Sequence, residues 1–232
     1  MKKIAILLAG GVGSRMRADR PKQFLEVNGK PILAHTIDAF ECNPLIDEIA
    51  IVAHPNHVND VENLIRKANW QKVTHVLPGG NERYDSSLAA IRAYEGQDVA
   101  LLIHDAVRPL VSQRIITDVC TAINEHQAVN ITIPVVDTIV QVHGGTMHAV
   151  PPRHTLQRVQ TPQAFRLNVI TEAYRRALAD PAFAATDDCS VVFRYMPEVP
   201  IVIVPGEERN IKVTHPDDIK LIEKILENKA DQ

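Results

Sequence analysis

The sequence predicts an α/β protein: a doubly wound, mostly parallel (mixed) Rossmann-like sheet carrying an inserted β-hairpin arm. Three observations predict it. Short, continuously apolar runs at residues 4–8, 47–53 and 99–103 read as strands buried on both faces, as in a parallel sheet. Helical patterns separate these runs, so strands and helices alternate as βα units do. The first run then breaks into Ala9-Gly10-Gly11-Val12-Gly13, a glycine-rich turn that lets backbone N–H groups face inward without Cβ obstruction.

Taken in order, the elements are these. The run at 4–8 is too short for a typical helix and forms the first strand. Val27-Asn28-Gly29-Lys30 reads as a turn, and Pro31 suits the first position of a helix reaching about Cys42. Ile32, Leu33, Thr36, Ile37 and Phe40 share one face of that helix. A second strand spans 47–53, a helix 58–68 and a third strand 70–77. Gly79-Gly80-Asn81-Glu82-Arg83 makes another glycine turn before a helix over 84–94, with Leu88, Ala90 and Ile91 inward. The fourth strand, 99–103, runs into His104-Asp105-Ala106-Val107-Arg108-Pro109.

From there the alternation changes. Residues 115–125 are helical, and 128–142 form one long β-branched strand. Gly144-Gly145 turns the chain back through 147–150, a hairpin signal, and Pro151 and Pro152 stiffen the return. An arm at about 138–160 must hide its apolar side, and the expected cover is a second copy of the chain. A helix over 168–179, a loop at 180–186, and a helix capped by Thr186 or Asp187 follow. A strand at 201–204 and a closing helix at 216–227, with Asp217 and Asp218 in its first turn, complete the chain. With no internal repeat or linker, residues 1–232 are expected to form a single domain with its arm.

Composition excludes several function classes. Hydrophobic residues are 45% and charged residues 23%, ordinary for a soluble globular chain. The net charge of −3 gives no basic field to recruit nucleic acid. No apolar run approaches the roughly 20 residues that span a bilayer. The N-terminus lacks a signal-peptide cleavage region, so a cytoplasmic location is expected. Cys42, Cys120 and Cys189 are scattered without a C-x-x-C pair, which indicates neither zinc nor a disulfide framework. The 10 histidines are dispersed, and His104 beside Asp105 reads as structural rather than as a base.

The glycine turn after the first strand, followed by Arg15 and Lys22, suggests a triphosphate cradle: amides face phosphate oxygens and cations neutralise the remaining charge. It is not a Walker loop, because no Lys-Ser or Lys-Thr follows the glycines. It is not a dinucleotide fingerprint either. Met16 stands where the third glycine belongs, and the second strand ends Val52-Ala53-His54 with no acid for the ribose. In an open α/β sheet, ligands sit beyond the carboxyl ends of the strands. That rule gathers 10–22, 79–86 and 104–108 onto one rim. Asn81 and Ser86 can read a base there or merely cap a helix. Asp105 and Arg108 can be a local ion pair or a contact to substrate or metal.

What remains resembles the nucleotidyltransferase signature G-x-G-[ST]-R-M followed by P-K. LAGGVGSRM, PKQF, GGNERYDS, HDAVRP, DTIV, QTPQAF and NIKVT occur in the order of one small family. These are the cytidylyltransferases acting on 2-C-methyl-D-erythritol 4-phosphate or ribitol 5-phosphate, and the resemblance runs from about residue 3 to 227. It implies CTP as co-substrate, Mg²⁺, and a homodimer with embracing arms, without nucleic-acid or membrane partners. Carried over by position, Arg15 and Lys22 match the cations that stabilise the transition state. Leu8, Ala9, Gly10, Gly11 and Gly13 match the phosphate loop, and Gly80, Asn81, Arg83, Ser86 and Ala106 the rest of the CTP site. Asn81 stands where the family often has Asp. Asp105 and Arg108 match contacts to the polyol phosphate, with Asp105 also a possible metal contact. Lys212 matches the lysine that positions the acceptor phosphate. Arg153 matches an arginine delivered by the partner's arm, together with Thr138, and Thr161 and Thr186 are expected to line the acceptor site.

The reaction implied is attack of a phosphate monoester on the α-phosphorus of CTP, with pyrophosphate leaving. The nucleophile is already anionic, so positioning and electrostatic stabilisation should dominate. A nucleotide-binding regulator without catalysis would have no reason to carry Arg15, Lys22 and Lys212. For the acceptor, Leu8-Ala9-Gly10-Gly11, Asp188-Cys189-Ser190 and Pro205-Gly206-Glu207 resemble ribitol-phosphate enzymes, whereas Thr186-Asp187-Asp188 resembles the methylerythritol-phosphate pattern. The expected acceptor is therefore D-ribitol 5-phosphate, giving CDP-ribitol, with methylerythritol phosphate as the alternative.

Overall fold

A computed structural model describes residues 1–11 and 20–230. Strand β1 (Lys2–Ala9) is buried along nearly its whole length because parallel neighbours flank it on both sides. After it come a two-stranded hairpin, β2 (Glu26–Val27) and β3 (Lys30–Pro31), and helix α1 (Ile32–Glu41). The hairpin turn places Asn28 at φ 49° and Gly29 at φ 72°, the paired positive dihedrals that a two-residue turn of right-handed strand twist requires. Strand β4 (Glu48–Ala53), helix α2 (Val58–Lys67), strand β5 (Val73–Pro78), helix α3 (Arg83–Ala93) and strand β6 (Val99–Asp105) continue the alternation. Helix α4 (Gln113–Glu125) and strand β7 (Ala128–Pro134) follow, then the arm strands β8 (Gln141–His143) and β9 (Thr146–Ala149). The chain closes with β10 (Gln157–Arg166), α5 (Leu167–Leu178), α6 (Asp188–Tyr195), β11 (Ile201–Pro205) and α7 (Pro216–Ala230).

The main sheet has the order β11-β7-β10-β6-β1-β4-β5. All pairings are parallel except those of β10, which runs antiparallel to both β6 and β7. Alternate residues of β1 feed two cores. Ile4, Ile6 and Leu8 pack with α3, α5 and α6 on one face, and Ala5, Leu7 and Ala9 with α1, α2 and α4 on the other. Sheet and helices therefore form the doubly wound architecture expected. A third, smaller cluster joins Val27, Ile32, Val107, Leu110, Val213 and Ile222, so it fixes the segments that carry Arg108 and Lys212.

Three expectations change. Residues 128–142 are not one strand: β7 ends at Pro134, where burial gives way to exposure, and the chain leaves the sheet. The β-branched run beyond it satisfies strand propensity but has no neighbouring strand until β8. Strand β10 was not expected, because Pro162 and three glutamines argue against a central strand. The sheet accommodates them through a register shift between Gln160 and Ala164, and buries Gln160, Thr161 and Gln163 with hydrogen-bond partners. Of the two candidate caps for α6, it is Asp187 that accepts from the Ser190 N–H at 2.8 Å, in a reciprocal capping box. The excursion between β7 and β10 covers 135–156, where an arm at 138–160 was expected. Its hairpin turns through Gly144 (φ 56°) and Gly145 (φ 78°).

Candidate active site

Strands β1, β4, β5 and β6 all end on the same rim, and a cleft opens there. Leu8, Ala9, Gly10 and Gly11 form one wall, and Gly80, Asn81, Glu82, Arg83 and Ser86 the opposite one. Lys22, Gln23, Asp105, Val107 and Lys212 supply the remainder. The second wall depends on Gly80: a Cβ there would lie 2.5 Å from that of Asp85, the residue that caps α3 by accepting from the Glu82 N–H. Beside it, a Cβ on Gly10 would stand 3.1 Å from Ser86 Oγ, so the two walls meet at close range.

Asp105 is the electrostatic centre. Its carboxylate lies 2.9 Å from Lys212 Nζ, 3.3 Å from Arg108 Nε and 3.6 Å from Arg83 Nε. Burial alone would raise the carboxyl's pKa. Lys212, then Arg83 and Arg108, outweigh that and hold it well below the usual carboxylate range. The cations are in turn fastened to the fold. Arg108 Nη1 donates to the Asn210 carbonyl at 2.8 Å, and Arg83 Nη1 contacts the fully buried Asp188 at 2.6 Å. Lys22 Nζ donates to the Val213 carbonyl at 3.0 Å, and the next residue, buried Gln23, donates to the Ala9 carbonyl at 2.7 Å.

His104 is buried with both ring nitrogens engaged, Nδ1 by Thr161 Oγ1 at 3.0 Å and Nε2 by the Arg108 carbonyl at 3.2 Å. A carbonyl only accepts, so Nε2 carries the proton and Thr161 donates to Nδ1 while accepting from the Asp105 N–H at 3.1 Å. Burial lowers the imidazole pKa to about 4, which keeps the ring neutral at ordinary pH. The ring is thus a bracket for the Asp105–Arg108 turn, and its geometry leaves no nitrogen to act as a base.

Among the residues singled out in the sequence, Leu8, Ala9, Gly10, Gly11, Lys22, Gly80, Asn81, Arg83, Ser86, Asp105 and Lys212 line the cleft. Gly13 and Arg15 lie outside the described residues. Arg108 stands just behind Asp105. Ala106 is buried, its N–H donating to the Leu8 carbonyl and its carbonyl accepting from Thr36. Thr161 is buried beneath the strand end rather than on the cleft wall, and Thr186 is exposed next to Ser190. Thr138 and Arg153 sit on the arm, where Arg153 donates to the Val136 carbonyl. Sequence reasoning gave no role to Gln23, Asn210 or the Asp188 ion pair. The first two stand inside the quoted motifs PKQF and NIKVT, the only signal that marked them.

Among the described residues no group of three or more His, Cys, Asp or Glu could hold a metal ion. Also among them, no helix is long and apolar enough to cross a membrane.

A family model described as 2-C-methyl-D-erythritol 4-phosphate cytidylyltransferase (IspD) matches residues 3–228. A Thermobifida fusca protein of the same description is 48% identical over 96% of this chain and 92% of its own length. A Haemophilus influenzae protein described as a bifunctional ribulose 5-phosphate reductase/CDP-ribitol pyrophosphorylase is 40% identical over 99% of this chain, which spans 49% of that protein. Among solved structures, 4-diphosphocytidyl-2C-methyl-D-erythritol synthase of Anaerococcus prevotii superposes with a TM-score of 0.85 at 28% identity, covering 97% of this chain and 96% of its own. With a cleft of glycine turns and fixed cations at the strand ends, and a family match running almost from end to end, this chain belongs to the IspD family of CTP-dependent cytidylyltransferases.

Proposed function

We propose that the cleft transfers the cytidylyl group of CTP to 2-C-methyl-D-erythritol 4-phosphate, releasing pyrophosphate. The observation that carries the proposal is Asp105, held ionised among Lys212, Arg108 and Arg83 on the floor of the glycine-walled cleft. Two substrates rich in negative charge must meet here, and the fixed cations lower the cost of bringing them together. The acceptor phosphate is the nucleophile and needs no general base, in keeping with a His104 whose two nitrogens are both occupied. Lys212 positions that phosphate, Asp105 accepts from the polyol hydroxyls, Lys22 and Arg15 stabilise the charge that develops, and Val107 offers the apolar contact a branching methyl requires. Asn81 and Ser86 face the base and the Gly10–Gly11 amides the triphosphate.

The described residues form no protein-only cage for Mg²⁺, and the acid at the centre, Asp105, is already ringed by cations. Mg²⁺ commonly keeps its waters and binds through substrate phosphates with one or two carboxylates. The ion would therefore arrive on the triphosphate, with Asp105 and Glu82 the carboxylates that line the cleft.

The relatives favour methylerythritol phosphate over the ribitol 5-phosphate expected from the sequence, and two of the three earlier ribitol markers lie away from the cleft lining. Cys189 is buried in the core and Ser190 completes the α6 cap. Pro205, Gly206 and Glu207 accept from Arg114, and Glu207 also from Ser112. These positions serve packing and capping. Ribitol 5-phosphate stays a second reading because the Haemophilus influenzae relative is described as a CDP-ribitol pyrophosphorylase. Steady-state pyrophosphate release with each acceptor tests the choice. A kcat/KM at least about tenfold higher for methylerythritol phosphate is expected, on the order of 1.4 kcal/mol. Equal or reversed efficiency overturns the acceptor while leaving cytidylyl transfer intact.

The arm supports a homodimer in which Arg153 reaches the partner's cleft. Mixing Arg153→Ala with Lys22→Ala subunits should then restore part of the lost activity, since one site per mixed dimer keeps both residues. Mixed dimers that form without recovery would remove Arg153 from the partner's site.

A further inference from the structure

Arg83 stands between two carboxylates of different standing. Its Nε faces Asp105, on the cleft, at 3.6 Å, while its Nη1 lies 2.6 Å from Asp188, which is fully buried. Asp188 is fixed from several directions. The Tyr174 hydroxyl, itself buried, donates to Asp188 Oδ1 at 2.7 Å, and the Asp188 N–H donates to Gln163 Oε1 at 3.1 Å. Gln163 in turn donates to Asp187 and Asn130. A buried carboxylate is costly unless paired, and none of these groups touches the cleft. Arg83 links them to it, and its Nη2 has no hydrogen-bond partner among the described residues.

We infer that Asp188, oriented by Tyr174, is a positioning residue that holds Arg83 back from Asp105 and so keeps Asp105 available to the acceptor. The ion pairs fix the direction of the effect. Five ionised groups, Arg83, Arg108, Lys212, Asp105 and Asp188, carry a net charge of +1. Neutralising Asp188 leaves Arg83 with one carboxylate to pair with. The guanidinium then closes on Asp105 and competes there with Lys212 and with acceptor hydroxyls, while the cleft becomes more positive by one charge. Acceptor binding weakens, whereas the triphosphate meets a field at least as favourable as before. A lesion that merely loosened the fold would degrade both substrates together.

The inference rests on the reading of the cleft as the site of transfer, and the experiment separates the two. Steady-state kinetics are measured for Asp188→Asn, Tyr174→Phe, Arg83→Gln and the double variant Asp188→Asn/Arg83→Gln, with each substrate varied in turn. Asp188→Asn should raise the acceptor KM about tenfold and leave the CTP KM unchanged or lower. Tyr174→Phe, which keeps the ring and loses only the hydroxyl, should show the same split at smaller size. In the Arg83→Gln background, Asp188→Asn should add little, because positioning residues act only through what they position. Parallel rises in both KM values, or losses that multiply in the double variant, overturn the inference. An acceptor KM raised in Arg83→Gln as far as in Asp188→Asn overturns it too, because that variant has no guanidinium to close on Asp105. If Asp188→Asn does not fold, the Tyr174→Phe split decides alone.

Discussion

The cleft and the arm handle their side chains in opposite ways. At the cleft, charges collected from α3, β6 and the segment before α7 are arranged against one another, with Asp105 satisfied by three cations. On the arm, Val136 is 64% exposed, Val142 61% and Met147 64%, with none of the described residues covering them. Large apolar side chains clustered on a protruding hairpin mark an interaction surface, whereas isolated ones need no explanation. The contrast is one of burial: the cleft stakes stability on internal pairing, and the arm leaves large apolar side chains exposed.

Damage at the two places should therefore differ in kind. Asp105→Ala should have the largest effect, since it leaves Lys212 and Arg108 without their counter-charge and Arg83 with Asp188 alone. Breaking a buried pair costs roughly 3–5 kcal/mol, which the denaturant midpoint reads directly. Lys22→Ala should leave the fold in place and lower kcat by about 10²–10³, roughly 2.7–4 kcal/mol of lost transition-state stabilisation, with the CTP KM moving much less. A near wild-type rate would remove Lys22 from the mechanism.

Acid should weaken the bracket beneath the cleft. His104 titrates near 4 when folded and near its ordinary 6.5 when unfolded, because burial disfavours its cation. Between those values the unfolded chain binds more protons, so stability falls as pH drops from about 6.5 towards 4 and is unaffected by this group above 6.5. The full contribution is about 3 kcal/mol. Unfolding free energies measured across this range should show the slope, and His104→Gln should flatten it. A slope unchanged in that variant would assign the acid sensitivity elsewhere.

The smallest effect on stability belongs to the arm. Val142→Asp should change the monomer's unfolding free energy by no more than about 0.5 kcal/mol, as exposed substitutions usually do, yet abolish self-association in sedimentation experiments. A large loss of monomer stability would mean that the arm folds back on its own chain.

Much of this arrangement was legible in the sequence. The apolar runs of β1, β4 and β6 and the glycine turns at Gly10 and Gly80 announce a parallel sheet with a ligand rim, because both follow from local pattern. Strand β10 was not legible: its polar residues are stabilised only by partners distant in the chain, such as Asn130 for Gln163 and Asn210 for Gln160 and Thr161. The cluster at Asp105 was half legible. HDAVRP marks Asp105 and Arg108, but nothing local shows that Lys212 arrives beside them, or that His104 serves as a bracket. The acceptor was the hardest to read, since of the motif differences that suggested ribitol only Leu8-Ala9-Gly10-Gly11 lines the cleft, while Cys189 and Ser190 fall on core and cap positions.

One feature of the cleft bears on how the molecule is made. Lys22 is tied to Val213, Val107 to Val213, and Arg108 to Asn210, so the walls are locked by a stretch near the C-terminal end of the chain. That stretch is made after every strand of the main sheet. Until it docks, the sheet can exist while the cleft does not, and CTP has nothing complete to bind. Because a ligand stabilises only the form it binds, the nucleotide lends its binding energy to finished molecules and withholds it from every partly folded one. Proteolysis in the presence of CTP would then spare chains whose cleft is assembled, making the substrate an inspector of its own enzyme's assembly.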